Sequence, residues 1–395
     1  MTELEGARDG SWTGDGSWPD QVRALMVAHW RPGGYTVPHA TEYPWPWLWD
    51  SCFHALIWAE LGERERAVTE LRSVFADQDR LGFVPHVRYV DAPDVWSDFW
   101  GRRRTSSITQ PPMYGHAVAA LIRHGIDVPA AVVDAASAGL AFLLDRRART
   151  EDGLVTAVHP WETGCDDSPR WDHWCGPSGW NTKDWYDVKG SLLRSVQRVP
   201  PGSPLANPGF ACGPAGFNAL VAWNAGELAA VTGDRALATA GQALAAALDA
   251  RWDPALVTWV DDGPSATTSG RVRTLDSLLP ALVCASTQRA AEALANALDE
   301  HAFGGPFGPA GVHRDEPAFD PSAYWRGSAW PPVTYLLWCA ARRHGLAEAA
   351  DGLAQRLAAG AQASGLAEHW HPDSGDGLGA VPQSWAGLAV CVDHG

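Results

Sequence analysis

The chain has 395 residues, 46% of them apolar, and a formal net charge of −16. This length and apolar content suffice for a sizeable core. Only Lys183 and Lys189 are lysines among the 30 basic residues, so we expect no basic face for phosphate backbones and no nucleic-acid partner. The amino terminus is acidic and polar, and no apolar run is long enough to span a bilayer. We therefore expect a cytoplasmic protein without a membrane partner.

Tryptophan and cysteine usage limit the chemistry further. The chain contains 22 tryptophans, more than packing usually requires, because each buried indole N–H needs a partner. The surplus indicates a ligand-binding surface. The seven cysteines lack metal-site spacing and mostly lie in apolar segments, which predicts buried thiols. We predict no cofactor and no dedicated metal site, with structural calcium left open in the Asp-rich stretches 91–100 and 371–377.

Apolar residues recur at three- and four-residue steps through most of the chain, which predicts amphipathic helices in pairs. The predicted helices span residues 20–30, 51–62, 64–78, 113–125, 129–148, 184–197, 216–233, 234–252, 273–283, 287–303, 322–345, 346–365 and 382–395. Strand-like alternation is nearly absent. The pattern favours an all-α fold, an (α/α)6 toroid. An irregular helical solenoid is the alternative, although no fixed repeat is visible.

Long loops rich in Trp, Gly, Pro and Asp separate the helical segments. They cover residues 31–50, 79–112, 149–183 and 304–321. Long loops in a compact domain are usually functional, so we expect them to gather at one end of the helical scaffold. No Ser/Gly linker divides the chain, which predicts a single domain over residues 1–395. The oligomeric state stays open, and a homo-oligomer is possible. The bias towards Ala, Gly, Arg and Pro is typical of a high-GC bacterial genome.

The first notable loop reads YPWPWLWD and covers residues 43–50. Tryptophan faces stack on the C–H faces of sugar rings, while a neighbouring carboxylate such as Asp50 can bond the hydroxyls. We interpret this stretch as the floor of a sugar site. The plain alternative is a Trp-packed entry to a helix that Asp50 caps.

Two further loops combine carboxylates with aromatic residues. WETGCDDSPRWDHW, residues 161–174, fits general acid chemistry, because apolar surroundings and like charges raise the pKa of a carboxyl group. Its alternative role is helix capping by Asp167 or Ser168. AEHWHPDSGDGLGAVPQSW, residues 367–385, offers Glu368 as a group that activates water, or only as part of a surface turn.

Five motifs in order resemble those of the (α/α)6-barrel hydrolases of glycoside hydrolase family 63, and most closely the bacterial mannosylglycerate and glucosylglycerate hydrolases. The likeness covers roughly residues 40–390. The motifs are YPWPWLWDSCFHA, SITQPPMYGHAV, ETGCDDSPRWD, YWRGSAWPPV and EHWHPDSGDGLG with QSW. The resemblance implies a metal-independent, inverting α-glycosidase that acts on a small α-glucoside or α-mannoside, such as a glycerate glycoside or a disaccharide.

The resemblance also implies the roles of individual residues. Its ESGxDxSP-like pattern places the general acid at Asp166, and its E-x-x-x-P-x-x-G pattern places the general base at Glu368, in register with Pro372 and Gly375. Arg326 is expected to orient the pocket wall by pairing with a carboxylate. The residues expected to line the sugar pocket are Tyr43, Trp47, Asp50, Gln110, Trp161, Gly164, Tyr324, Trp325, Trp330 and Gln383.

Some features depart from this pattern or leave alternatives open. The segment 176–213 cannot be matched to the basic and tyrosine contacts that relatives make to the aglycone carboxylate, so the aglycone and the sugar stay open. A sugar epimerase or isomerase on the same toroid would transfer protons with histidines. A non-catalytic sugar-binding protein would not need the opposed pair Asp166 and Glu368. The candidate histidines are His54, His86, His116 and His173, of which His116 is expected in the core.

Overall fold

The computed structural model describes residues 17–176, 180–264, 266 and 271–392. Its α-helices are α1 (Trp18–His29), α2 (Leu48–Glu60), α3 (Arg64–Val74), α4 (Ser97–Trp100), α5 (Tyr114–Arg123), α6 (Ala130–Ala141), α7 (Thr182–Arg194), α8 (Ala215–Thr232), α9 (Arg235–Asp249), α10 (Thr287–Leu298), α11 (Pro331–Arg343) and α12 (Ala347–Ala363). A π-helical turn, Phe142–Arg146, extends α6. The 3-10 segments are Pro160–Thr163, Pro169–Cys175, Pro208–Phe210, Leu275–Leu282 and Ser384–Val390.

Six elements form a closed inner ring. Contacts run from α2 to α5, α8, the 3-10 segment Leu275–Leu282, α11 and the 3-10 segment Ser384–Val390, which packs back on α2. Each inner element also contacts an outer helix, and in the same order these are α3, α6, α9, α10, α12 and α1. Two concentric layers of six helical elements constitute an (α/α)6 toroid, as the sequence predicts.

Inner and outer helices differ in sequence because they differ in surroundings. On the inner helix α8, every residue from Ala215 to Ala225 is buried, so this stretch is apolar or amide-bearing all round. On its outer partner α9 only Leu237, Gly241, Leu244 and Leu248 are buried. Their three- and four-residue spacing forms the single apolar stripe of a surface helix.

Four short antiparallel hairpins accompany the helices. The strands are β1 (Trp30–Arg31) with β2 (Tyr35–Thr36), β3 (Gln197–Val199) with β4 (Ser203–Ala206), β5 (Trp252–Asp253) with β6 (Thr258–Trp259), and β7 (His369–Trp370) with β8 (Gly377–Leu378). Each sheet has two strands, so the hairpins shape loops and the helices make the scaffold. Within the described ranges, no helix is both long and apolar enough to cross a membrane.

Three predicted helices differ from the structure, one in its first residue and two in their type. The predicted helix 322–345 begins only at Pro331, because Pro331 and Pro332 fix the first turn and the residue before a proline avoids the helical region. The predicted helix 273–283 is a 3-10 segment that contains Pro280. The predicted helix 382–395 is likewise a 3-10 segment as far as Val390, and residues 393–395 lie outside the described part of the chain.

Candidate active site

One pocket collects most of the residues that the motifs single out. It encloses about 440 Å3, including the space at its mouth. Aromatic rings form much of its wall and three carboxyl groups face it, a composition suited to a small polar ligand. The lining residues are Pro38, Tyr43, Trp47, Trp49, Asp50, Gln110, Gly164, Asp166, Tyr324, Trp325, Glu368, Gln383 and Trp385.

The pocket lies where the inner elements begin. Asp50 occupies the first turn of α2, Gln110 precedes α5, Trp325 precedes α11 and Gln383 caps the segment Ser384–Val390. Residues that precede inner elements meet in one pocket, so these elements direct their amino-terminal ends to the same end of the ring. Three of the four loops predicted to be functional, 31–50, 79–112 and 149–183, therefore meet at one end of the toroid, whereas 304–321 contributes no residue to the pocket lining.

Glu368 is fixed by two hydrogen bonds. The Tyr43 hydroxyl donates to Oε1 at 3.1 Å, and the backbone N–H of Ala380 donates to Oε2 at 2.9 Å. Gly379 permits this close approach, because its φ is +69° and a Cβ there would lie 2.4 Å from Oε2. The carboxyl group of Glu368 is thus held in one orientation at the pocket wall.

Burial raises the pKa of Glu368 to about 7, and the carboxylates of Asp50 and Glu42 add to the rise. The hydrogen bonds from Ala380 and Tyr43 oppose it, because they favour the charged form. Burial also raises the pKa of Asp50, to about 6. A carboxyl group with a pKa near neutrality is suited to proton transfer.

Asp50 and Gln383 form a polar patch beside Glu368. The Gln383 amide donates to Asp50 Oδ1 at 3.4 Å and accepts from the backbone N–H of Trp385 at 2.8 Å. The Trp385 indole in turn donates to the Glu368 carbonyl oxygen at 2.8 Å. These bonds join the first turn of α2 to the last inner element and orient both amide and carboxylate towards a ligand.

Asp166 follows the 3-10 turn Pro160–Thr163 and is partly accessible from the pocket. The protein surrounds its carboxyl group on the other sides, so burial raises its pKa well above the ordinary value. Lys189 opposes this rise, while Asp167, Glu368 and Asp50 contribute to it. A carboxyl group in this setting stays protonated at a pH at which ordinary aspartates are ionised.

Next to Asp166, Asp167 forms a buried ion pair. Lys189 of α7 donates to Asp167 Oδ1 at 2.9 Å, and only 2% of the Lys189 side chain is exposed. The Trp185 indole N–H lies 2.8 Å from the same oxygen and 3.1 Å from the Asp166 carbonyl oxygen. Helix α7 therefore holds both the carboxylate beside Asp166 and the backbone of Asp166 itself.

An aromatic stack supports the pocket wall at Trp325. Trp325 stacks on Trp330 with ring centroids 3.7 Å apart and planes inclined by 3°, and Trp330 stacks on His369 at 4.5 Å. Trp325 has a φ of 57°, which is rare for a residue with a bulky side chain. Such backbone outliers cluster at ligand sites, and the stack behind Trp325 holds it there.

Three predicted pocket residues lie behind the wall. Trp330 is fully buried and packs behind the lining residues Trp325 and Tyr324. Trp161 packs on Trp100 at 5.9 Å and lies 5.2 Å from the Lys189 ammonium, away from the lining. Arg326 pairs with Asp172 at 2.7 Å and donates to the Asp167 carbonyl oxygen, as expected of a residue that orients the wall.

Three lining residues, Pro38, Trp49 and Trp385, were not predicted. Trp49 and Trp385 belong to the YPWPWLWD and QSW motifs, so the signal was present, but spacing alone does not show which tryptophan of a cluster faces a ligand. Gly164 has a φ of +75°, and a Cβ there would lie 2.6 Å from the Trp49 ring. The close fit of Gly164 on Trp49 joins two of the motifs at the pocket.

The structure decides between the alternative roles of Asp50, Ser168 and Glu368. Asp50 does not cap α2, whose N-cap is Trp47 without a side-chain hydrogen bond. Ser168 does cap the segment Pro169–Cys175 by accepting from the Arg170 N–H. Glu368 is buried and belongs to the pocket, so it is no surface turn residue.

Glu162, in the same motif as Asp166, is saturated with hydrogen bonds. It pairs with Arg147 through both oxygens and accepts from the backbone N–H groups of Thr109 and Val158. Both side chains of the ion pair are fully buried. Glu162 therefore anchors the loop before Gln110 to the loop of Asp166.

The candidate histidines do not line the pocket. His54 lies 2.7 Å from the Ser384 hydroxyl, His86 packs between Trp47 and Trp100, and His173 packs on Trp174. His116 bonds Tyr335 at 2.9 Å in the interior, as expected.

One aspartate in each of the two stretches considered for calcium forms an ion pair with an arginine. Asp94 forms an ion pair with Arg103, and Asp373 forms one with Arg314. In the part of the chain that the structure describes, no group of three or more His, Cys, Asp or Glu side chains is arranged to hold a metal ion.

A family model matches residues 43–386, and its description is the mannosylglycerate hydrolase MGH1-like glycoside hydrolase domain. The match covers most of the chain and every motif quoted above. The chain belongs to this family. It is accordingly a glycoside hydrolase of the MGH1-like group, and the non-catalytic sugar-binding alternative is set aside.

Two relatives illustrate the likeness over nearly the whole chain. A mannosylglycerate hydrolase of Thermus thermophilus is 29% identical over 91% of this chain and 96% of its own. A glucosylglycerate hydrolase of Mycolicibacterium hassiacum is 29% identical over 91% of this chain and 93% of its own.

A solved structure supports the fold. The GH63 mannosylglycerate hydrolase of Thermus thermophilus, in complex with Tris and D-glycerate, superposes with a TM-score of 0.81 at 27% identity. The match covers 94% of this chain and 98% of that chain. The resemblance inferred from the five motifs, to family 63 and to these hydrolases, is confirmed.

Proposed function

We propose that the protein is an inverting α-glycosidase that hydrolyses a glycerate α-glycoside, with Asp166 as general acid and Glu368 as general base. The observation that carries the proposal is the meeting of these two carboxyl groups in one aromatic pocket, each with a pKa raised by burial. The names of the two relatives, hydrolases of mannosylglycerate and glucosylglycerate, support the substrate class.

In this mechanism Asp166 gives its proton to the glycosidic oxygen. The group must be neutral when substrate binds, and burial favours that neutral form. Glu368 removes a proton from a water molecule that attacks the anomeric carbon from the other face of the ring. Its two hydrogen bonds, from Tyr43 and Ala380, favour the ionised form that a base requires.

The inverting assignment predicts a distance. A water molecule must fit between Glu368 and the anomeric carbon, so we expect the two carboxyl groups about 6.5–9.5 Å apart in the substrate complex, against about 5–5.5 Å in a retaining enzyme. The sugar ring is expected to stack on the aromatic wall near Trp325, with its hydroxyls bonded by Asp50, Gln110 and Gln383.

The glycerate moiety is assigned to the side of Asp166. An acid that protonates the leaving oxygen must lie next to the aglycone, and α7 is the element that packs against Asp166 through Trp185. This helix belongs to the segment 176–213, which the motifs could not match to an aglycone site. Tyr186 of α7, 58% exposed, is accessible there.

Product analysis by proton NMR tests the proposal. The enzyme is mixed with glucosylglycerate, mannosylglycerate, trehalose, kojibiose or nigerose, and the first anomer of the released sugar is recorded before mutarotation. We expect turnover of a glycerate glycoside and release of the β-anomer. The α-anomer as first product would refute inversion, and turnover of a disaccharide alone would refute the glycerate assignment.

A further inference from the structure

Two consecutive carboxyl groups, Asp166 and Asp167, lie in the same buried loop, yet among the residues that the structure describes only Asp167 of the two has a cation bound to it. The Lys189 ammonium contacts Asp167 Oδ1 at 2.9 Å, and the Trp185 indole reinforces the same oxygen at 2.8 Å. The rings of Tyr186 and Trp161, at 4.2 and 5.2 Å, enclose the ammonium group. The pair is therefore fixed and shielded from water.

A buried ion pair is weak support for stability, because the loss of hydration of two ions largely offsets their attraction. The position of this pair suggests a different use. Two full charges of opposite sign are held directly beside the residue that donates the proton, where the low dielectric of the interior makes their influence on Asp166 strong.

We propose that Asp167 and Lys189 are positioning residues that set the upper pH limit of catalysis by fixing the charge beside Asp166. This inference rests on the proposed role of Asp166 as general acid. Asp167 disfavours ionisation of Asp166, whereas Lys189 favours it, and each effect partly offsets the other only while both members of the pair are charged.

Other groups also face Asp166 and stay unchanged in the test. From neighbouring elements these are the carboxyl groups of Asp50 and Glu368 and the side chains of Tyr43, Tyr186, Tyr324 and Cys165. The Arg326 guanidinium contacts the Asp167 carbonyl oxygen but is itself neutralised by Asp172. Lys189 acts on Asp166 more strongly than Asp167 does, although less than burial.

The proposal makes opposite predictions for the two members of the pair. Lys189→Met removes the cation, so the alkaline limb of the kcat/KM profile with a glycerate glycoside should move up by about one pH unit. Asp167→Asn leaves the Lys189 cation without its carboxylate partner, so the alkaline limb should move to lower pH by about the same amount. The double variant should lie between the two, and Lys189→Arg, which keeps the charge, should resemble the wild type.

An α-glycosyl fluoride of the same sugar provides the matched control. Fluoride leaves without a proton from the acid, so the variants should not move the alkaline limb with this substrate. An unmoved limb with the glycerate glycoside in both single variants, together with lower melting temperatures, would show that the pair only supports the fold. A higher KM for the glycerate glycoside alone after Lys189→Met, with the limb unmoved, would instead make Lys189 an aglycone ligand. Either result overturns the proposal.

A measurement without substrate separates this inference from the proposed function. Carbon-13 NMR of aspartate-labelled protein follows the ionisation of Asp166 directly, with Asp166→Asn to assign the signal. We expect its titration to move up in Lys189→Met and down in Asp167→Asn even if no glycerate glycoside is turned over. A titration that is the same in wild type and both variants would refute the role of the pair.

Discussion

The carboxyl groups on the two sides of the pocket, Glu368 and Asp166, differ in their hydrogen bonds. On the side of Glu368, the proposed base, both carboxyl oxygens accept hydrogen bonds, from Tyr43 and from Ala380. On the side of Asp166, the proposed acid, the carboxyl group has no hydrogen-bond partner among the residues that the structure describes. Burial raises the pKa of both groups, but of the two only Glu368 receives donors that favour its charged form. Hydrogen-bond donors, more than burial, thus distinguish the proposed base from the proposed acid.

The largest effect is expected when the carboxyl group on either side of the pocket is replaced by an amide. Asp166→Asn and Glu368→Gln change shape little, and each should lower kcat with a glycerate glycoside by about 10²–10⁴-fold. Circular dichroism and binding of the free sugar, measured by calorimetry, should be nearly unchanged.

The α-glycosyl fluoride distinguishes the proposed role of Asp166 from that of Glu368. Because fluoride needs no proton to leave, Asp166→Asn should recover most of its activity on this substrate, whereas Glu368→Gln should not. Near wild-type activity of either variant with the glycerate glycoside would contradict the role of that residue.

A smaller effect is expected from moving the base without removing it. In Gly379→Ala the new Cβ would lie 2.4 Å from Glu368 Oε2, so the carboxyl group must shift, and kcat should fall by roughly 10²-fold. Gly345→Ala is the matched control, because Gly345 has a similar φ of +67° but no atom within 4 Å of the position that a Cβ would take. Equal losses of kcat in the two variants would show that backbone strain, and not displacement of Glu368, is responsible.

The smallest effect should follow from deleting one donor on the base side. Tyr43→Phe removes the hydrogen bond that lowers the pKa of Glu368, so this pKa should rise above its value of about 7. Since a base must be ionised, the acid limb of kcat/KM should move to higher pH. We expect a loss of about 10-fold at neutral pH that diminishes in alkaline buffer. A loss that is the same at every pH would show that Tyr43 only binds the sugar.

Helix periodicity predicted the scaffold well because outer helices such as α9 carry one apolar stripe, and inner helices such as α8 are long apolar segments buried nearly all round. It failed where proline changes the backbone. Pro280 is compatible with the 3-10 segment Leu275–Leu282, and Pro331 delays the start of α11. Both signals were present in the sequence, but the apolar pattern around them continued and masked them.

The predicted site residues show a different limit. Most of them, including Asp166 and Glu368, line one pocket, because their motifs lie in loops at the end of the ring where the inner elements begin. Trp330 and Trp161 lie one layer behind it. A tryptophan that supports a wall and one that faces a ligand are both buried in aromatic surroundings, so only the three-dimensional packing distinguishes them.

The ring closes where α1 packs on the segment Ser384–Val390, and Gly387 fits so closely against Val22 that a Cβ would lie 2.9 Å from the Val22 side chain. Asp166 is translated about two hundred residues before Glu368 and Gln383. At about 5–20 residues per second, a nascent chain therefore carries the proposed acid for some time without the proposed base. We expect such a chain to hydrolyse no glycoside until the segment Ser384–Val390 has been made and docks beside α1.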